Sequence, residues 1–193
     1  MKPYLQKIQT YVANHRNEVT ITGALVVMVL ILVALFIYDT VPHYAYQPVK
    51  ACDLLTPAKA QDLLDDKVIG TDANTPVVSG DTATSKCSYS DENADKNQMK
   101  VAAVAVRSAV DDKGVQQNKA DFMTAREAND IQVVTGVGES AYFNKTSGQL
   151  NVLSGHVWLI ISYGIGATPQ NNDLSEAVKL ARDLLSTPAI HKA

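Results

Sequence analysis

The two cysteines, Cys52 and Cys87, are the residues of this sequence that most strongly suggest a chemical role. A cysteine that follows a membrane-length apolar run can carry a lipid. A cysteine beside a histidine can act as a nucleophile. Two cysteines in an oxidising compartment form a disulfide. The residues around the two positions favour one of these three roles.

The residues before Cys52 do not fit a lipid-attachment signal. The preceding residues, VKA, are not those of a lipobox, and the cysteine lies 14 residues beyond Tyr38, where the apolar run ends. A cleaved leader is also disfavoured, because its apolar region spans about 7 to 15 residues and ends in small residues at the cut. Here the apolar run is longer and is followed by DTVPHYAYQP.

A nucleophilic cysteine requires a histidine within hydrogen-bond reach. Beyond the apolar run, His43 and His191 lie in a predicted linker and a predicted tail, and His156 follows a glycine turn. The sequence therefore favours a structural disulfide between Cys52 and Cys87. That bond would close a loop of about 36 residues, worth roughly 4 kcal/mol in the chain-entropy account.

The apolar run itself extends from Val19 to Tyr38 and contains no charged residue. Twenty residues at about 1.5 Å each reach roughly 30 Å, the thickness of the hydrocarbon core of a bilayer. The run therefore predicts a transmembrane helix.

The charges beside this run predict its orientation. Lys2, Lys7 and Arg16 precede it, whereas Asp39 follows it directly. By the positive-inside rule, the N-terminus is expected in the cytoplasm and the larger part of the chain outside. The expected organisation is a cytoplasmic segment at 1–18, a transmembrane helix at 19–38, a linker at 39–50 and an extracytoplasmic domain at 51–190, in a single-pass protein of the cell membrane.

The composition argues against nucleic acid as a partner. From Asp39 onward the chain has 14 Lys and Arg against 19 Asp and Glu, a net charge of −5. There is no basic stripe interleaved with aromatic residues of the kind that binds a phosphate backbone.

Helix and strand patterns after residue 50 predict an α+β domain. Helices are predicted from Pro57 to about Asp65, with Thr56 as N-cap, from Lys119 to Asn129, and after Asp173, which caps an apolar stripe. Strands are predicted at 87–90, 98–108 and 131–134, followed by a meander through VWLIISYG. The predicted fold class is an N-terminal transmembrane helix followed by an antiparallel sheet packed with about three helices, an α/β sandwich.

Three fragments imitate functional motifs. GVGESA at 136–141 matches a dinucleotide-binding pattern, but the continuation AYFNKTSG is a strand and a turn rather than the required helix. Acidic and amide residues at 91, 93, 95 and 97 begin like a calcium loop, yet Lys96 and Ala102 stand where glycine and glutamate are needed. Asn144-Lys-Thr146 is a formal glycosylation sequon. We therefore expect no catalytic residue, cofactor or metal site.

Four fragments together resemble a domain of unknown function in secreted proteins and lipoproteins of actinobacteria. They are CDLLTPAKAQDLL, CSYS, GVGESAYFNKTSGQLNVLSGHVWLIIS and a terminal amphipathic helix, and they cover roughly 51–187. The resemblance implies a fold similar to the Mog1/PsbP-like α/β sandwich and a cysteine pair joining the first helix to the next strand. It implies no catalytic residues.

The sequence thus favours a non-catalytic binding or interaction module of the cell envelope, anchored in the membrane and contacting an envelope protein or lipid. One alternative is a small-molecule or lipid carrier with a pocket between sheet and helices. An enzyme is the third. An apolar cavity under the last helix would favour the carrier, and a solid core with an exposed apolar patch the interaction module.

Overall fold

One antiparallel sheet organises the chain beyond residue 44. The computed structural model describes residues 28–30, 45–92, 95, 97–166, 168 and 171–190. Contacts divide the chain into two units, Met1–His43 and Tyr44–Ala193. In the first unit, the described residues 28–30 are helical and exposed.

The second unit contains eight strands and four α-helices in its described part. The strands are β1 (Val68–Ala73), β2 (Val77–Ser79), β3 (Thr82–Asp91), β4 (Lys100–Ala109), β5 (Ile131–Val134), β6 (Ser140–Asn144), β7 (Gln149–Ser154) and β8 (Val157–Ile165). The helices are α1 (Ala51–Leu54), α2 (Pro57–Leu64), α3 (Asp112–Arg126) and α4 (Leu174–Leu185), followed by a 3-10 turn at Pro188–Ile190.

The strand order is β1-β3-β4-β8-β7-β6-β5, with β2 also paired to β3. All neighbouring strands are antiparallel. The two long central strands, β4 and β8, pair along their whole length, with Val104 opposite Ile161. Their alternating β-branched residues explain this pairing, because such side chains pack well on a pleated surface.

Side chains alternate between the two faces of the sheet and build two separate apolar clusters. The main core lies between the sheet and the helices α1, α2 and α4. Its largest fully buried side chains include Leu54, Leu64, Leu159 and Leu184. On the opposite face, α3 covers a smaller aromatic cluster formed by Phe122, Tyr142, Leu153 and Trp158.

The aromatic cluster is held by tilted ring contacts. The Phe122 ring centroid lies 4.9 Å from that of Tyr142 and 5.6 Å from that of Trp158. Both pairs adopt inclined geometries, which aromatic quadrupoles favour over face-to-face stacking. The Trp158 indole also donates a hydrogen bond to Asn151 Oδ1 at 3.0 Å, so its polar atom is satisfied while the ring is buried.

β1 and β2 together form one interrupted edge strand along β3. Ala73 pairs with Cys87 and Val77 with Thr84, so three residues face two between them, and a further register shift lies between Gly70 and Asp72. In the first gap, the Asn74 side chain accepts a hydrogen bond from Lys86 N at 2.6 Å. Bulges of this kind twist an edge away from pairing with another chain.

Residues 45–50, here called the entry segment, lie against the sheet although the sequence predicted a linker at 39–50. Ala45 N and Tyr46 N both donate to Val110 O. Val49 N donates to Ser108 Oγ, and Val49 O accepts from Ser85 Oγ at 2.8 Å. Buried serine hydroxyls thus satisfy backbone groups of a segment that is in neither a helix nor a strand.

The predicted fold class is wrong as stated. The described structure is dominated by one eight-stranded antiparallel sheet with helices on both faces. Among the described residues no helix has both the length and the apolar character needed to cross a membrane. The longest, α3, has 15 residues and spans about 22 Å, less than the roughly 30 Å of a bilayer core. Apart from 28–30, the span predicted at 19–38 lies outside the described residues.

Two further sequence predictions differ from the structure. No strand was predicted before residue 87, where the segment 69–86 is polar and rich in turn residues. β1 from its second residue on, β2 and the first half of β3 lie there, and the edge strands β1 and β2 need not alternate apolar and polar residues. The helix predicted to begin at Lys119 begins at Asp112, where Asp111 acts as N-cap and its side chain accepts from Gly114 N at 2.8 Å. The helices predicted after Thr56 and Asp173, and the strands from Ile131 onward, match α2, α4 and β5 to β8.

Candidate functional site

The two cysteines form the predicted disulfide. Cys52, half-buried in α1, is bonded to Cys87, buried in β3, with their Cα atoms 5.1 Å apart. The bond joins the first helices to the sheet, and neither sulfur is available for lipid attachment or nucleophilic attack. The cysteines are therefore structural.

A cleft of about 270 Å³ lies between α2 and α4, on the face of the sheet that carries the disulfide, and is open to solvent. It is lined by Lys59, Asp62, Leu63, Glu176, Lys179, Leu180 and Asp183. On α2 these residues follow an i, i+3, i+4 spacing and on α4 an i, i+3, i+4, i+7 spacing, so on each helix they share one face. The cleft is the candidate functional site.

α2 and α4 lie side by side because their apolar stripes pack on the same core, and each helix begins with a side-chain cap. The Thr56 side chain accepts from Lys59 N, and Asp173 Oδ1 accepts from Ser175 N and Glu176 N. These caps satisfy amide groups that a helix start leaves without partners. Below the cleft, Leu64 and Leu184 are fully buried in the main core, so the lining residues lie at the margins of the two apolar stripes.

One end of the cleft is closed by an ion pair between the helices. Lys59 Nζ, near the start of α2, lies 2.7 Å from Asp183 Oδ2, near the end of α4. The same ammonium donates to Thr187 Oγ1 at 3.3 Å. Both members of the pair are partly solvent-exposed, so the pair contributes orientation more than stability.

A second ion pair lies at the other end of the cleft. Lys179 pairs with Glu176, and this hydrogen bond raises the pKa of the Lys179 ammonium above its ordinary value. On the neighbouring strand β8, burial raises the pKa of Tyr163, and the nearby carboxylates of Glu176 and Asp173 raise it further.

The lining carries three carboxylates against two ammonium groups. Each ammonium is already paired with a carboxylate, Lys59 with Asp183 and Lys179 with Glu176. Within the described part of the chain, Asp62 is the lining carboxylate that has no ion pair. Beneath these charges, Leu63 is half-buried and Leu180 buried, so the cleft combines an apolar floor with an acidic rim.

The hydrogen bond to Glu176 raises the pKa of Lys179, whereas a lysine needs a lowered pKa to act as a base or nucleophile. Over the described residues, no group of three or more His, Cys, Asp or Glu side chains could hold a metal ion.

The fragment that imitates a dinucleotide motif is a structural turn. Gly136 and Gly138 have φ values of 75° and 58°, a region that favours glycine. A Cβ atom on Gly138 would lie 2.6 Å from Leu153 O, and the next residue, Glu139, donates its amide to the same oxygen at 2.8 Å. The glycines allow the β5–β6 turn to pack closely on β7, and β6 follows where a nucleotide site would need a helix.

The other motif-like residues also have structural roles. Asp91, the first residue of the calcium-like pattern, is buried at the end of β3, and positions 93 and 96 lie outside the described residues. Asn144 Oδ1 accepts hydrogen bonds from Thr146 N and Ser147 N, so the sequon residue caps the β6–β7 turn.

His156 and Trp158 do not meet in one site. They are two residues apart near the start of β8, and Trp158 belongs to the aromatic cluster. The His156 ring stacks on Tyr46 of the entry segment, with centroids 4.9 Å apart and the planes inclined by 8°. The Tyr46 hydroxyl donates to Asp112 Oδ1 at 2.9 Å, and this hydrogen bond raises the pKa of Tyr46.

The cleft was not predicted from the sequence. The apolar stripes of α2 and α4 are evident in the sequence, but it does not show that the two helices are neighbours. No role was predicted for Lys59 or Asp62, and Glu176 was expected only to contribute to the helix cap at Asp173. The available signal was that each lies beside an apolar stripe, where long side chains of two packed helices can meet.

No family model, curated protein or solved structure matches this chain. The resemblance to the actinobacterial domain and to the Mog1/PsbP-like sandwich therefore stays a prediction.

Proposed function

We propose that the domain beyond residue 44 is a non-catalytic interaction module that works outside the cytoplasm and binds a protein partner of the cell envelope in the α2–α4 cleft. The single observation that carries this proposal is the cleft itself, with an apolar floor of Leu63 and Leu180 under a rim of charged side chains. Protein interfaces combine a small apolar centre with a polar rim in this way.

The disulfide supports the extracytoplasmic location. Disulfides persist in oxidising compartments and are rare where thioredoxin and glutathione keep thiols reduced. Cys52 lies in α1, which directly precedes α2 in the chain. A domain that is cross-linked by a disulfide suits a compartment that keeps the bond formed.

A carrier with a pocket between sheet and helices is less well supported. The layer between the sheet and α2 and α4 is filled by large side chains such as Leu64, Leu159 and Leu184, each fully buried. The cleft lies outside this layer. At about 270 Å³ it is also slightly smaller than the roughly 300 to 1,000 Å³ of ordinary ligand pockets.

Site-specific photocrosslinking in cells that produce the full chain tests the proposal. A photoreactive residue replacing Lys179 lies in the cleft, and one replacing Glu127, at the end of α3, lies on the other face of the sheet. Both positions are exposed. We expect a discrete protein adduct from position 179 and none from position 127. Equal adducts from both positions, or none from position 179, would contradict the proposal.

A further inference from the structure

We infer that the occupant of the α2–α4 cleft is a basic amphipathic peptide segment, which packs an apolar side chain on Leu63 and Leu180 and pairs an arginine or lysine with Asp62. This inference rests on the proposed function and names the chemistry of the partner.

The charges of the cleft favour a partner with a positive charge. The two lysines are already held by Glu176 and Asp183, so an acidic partner would have to displace a carboxylate to reach either ammonium. Asp62 is exposed and, among the described residues, takes part in no ion pair. A cation beside Asp62 gains attraction without breaking an existing pair, and charge complementarity therefore favours a basic group.

The other lysines around the end of α2 do not pair with Asp62. Lys100 Nζ donates to Leu64 O at 2.9 Å, and among the described residues it forms no ion pair. Lys67 follows in the chain and is exposed, and it does not line the cleft.

The apolar floor and the size of the cleft favour a peptide as its occupant. A groove between two helices, with an apolar floor between charged rims, is the geometry that receives an amphipathic segment. The open volume of about 270 Å³ accommodates side chains projecting from a partner more readily than a ligand that must be enclosed. The ion pair between Lys59 and Asp183 closes one end, so the segment enters from the side of Asp62.

Fluorescence anisotropy with the purified full chain tests the inference. The probes are a labelled leucine–lysine peptide with leucines at helical spacing, its leucine–glutamate counterpart, and a leucine–lysine peptide of scrambled order. We expect the first peptide to bind about tenfold more tightly than either of the others, and its affinity to fall as salt is added.

Charge reversal at the rim provides the matched comparison. Asp62→Lys should weaken binding of the leucine–lysine peptide about fivefold. Glu127→Lys makes the same change in net charge on an exposed site of the opposite sheet face and should change the affinity less than about twofold. Equal effects of the two substitutions would overturn the inference, and so would a preference for the leucine–glutamate peptide.

Two further probes distinguish a peptide from a small amine and from a lipid surface as the occupant of the cleft. Spermine should compete weakly, since it lacks an apolar side chain, and complete competition by spermine would replace the peptide with a small amine. Vesicles of phosphatidylcholine should not bind, and binding lost on Asp62→Lys would replace the peptide with a lipid surface. If position 179 yields a protein adduct in cells while the peptide preference is absent, the proposed function stands and this inference fails.

Discussion

The two faces of the sheet are built differently. One face packs against α1, α2 and α4 over a large aliphatic core and is tied to α1 by the Cys52–Cys87 disulfide. Of the described helices, only α3 packs on the other face, over Phe122, Tyr142, Leu153 and Trp158. The first face also carries the cleft.

This difference separates the tightly packed aromatic cluster from the proposed binding surface. A large core under three helices leaves the margins of those helices free to carry charges, because stability there does not depend on single side chains. The aromatic cluster has few members, so each of them carries a large share of the packing that holds α3. Substitutions on the two faces should therefore differ in how much they destabilise the domain and in which helices and strands they affect.

The largest loss of stability is expected from Phe122→Ala. The side chain is fully buried and contacts both Tyr142 and Trp158, so its loss should lower the free energy of unfolding by about 3 to 5 kcal/mol. Urea denaturation measures the change, and Met123→Ala, at an exposed position of the same helix, is the control. Hydrogen exchange should show loss of protection in α3 first, and equal loss in α2 and α4 would contradict the separation of the two faces.

The next effect is expected from removing the disulfide. The double substitution Cys52→Ala and Cys87→Ala should lower the free energy of unfolding by about 2 to 4 kcal/mol, because the unfolded chain is no longer cross-linked. Reduction of the unsubstituted protein should match it. Hydrogen exchange should increase in α1 and α2 and remain unchanged in α3. Two reactive thiols in the denatured, unreduced protein would show instead that the bond does not form.

A smaller loss is expected from Gly114→Ala, which should lower the free energy of unfolding by about 1 to 3 kcal/mol. Helix propensity alone predicts the opposite, a gain in stability of about 1 kcal/mol. In the structure, however, a Cβ atom on Gly114 would lie only 1.9 Å from Asp81 O, so α3 would have to move away from the sheet. Thermal unfolding decides the sign, with Lys113→Ala, at an exposed neighbouring position, as control. A stabilised Gly114→Ala protein would refute the close packing of α3.

The sequence predicts those parts of the fold that have strong local signals. Thr56 with Pro57, and Asp173 with Glu176, mark the starts of α2 and α4, and alternating residues mark β4 and the meander. β1 and β2 lack such signals, since Ile69, Val77 and Val78 are exposed on an edge strand. Gly114 makes the start of α3 difficult to recognise in the sequence. A glycine is required at this position because the backbone of Asp81 lies so close.

The candidate site is less accessible from sequence than the fold. The cysteine pair could be predicted, because its chemistry depends on residue type and compartment. The cleft depends on α2 and α4 being neighbours, although more than a hundred residues separate Lys59 from Asp183 in the chain. No local pattern encodes that proximity.

The entry segment has a mechanical consequence. A force applied to the chain at Tyr46 first loads its hydrogen bond to Val110 and then the serine contacts of Val49 with β3 and β4. Three residues further on, the bond between Cys52 and Cys87 transfers any remaining tension covalently into β3. The load therefore runs into the middle of the sheet and bypasses α2 and α4. Tension on this side of the domain can be borne while the cleft keeps its shape.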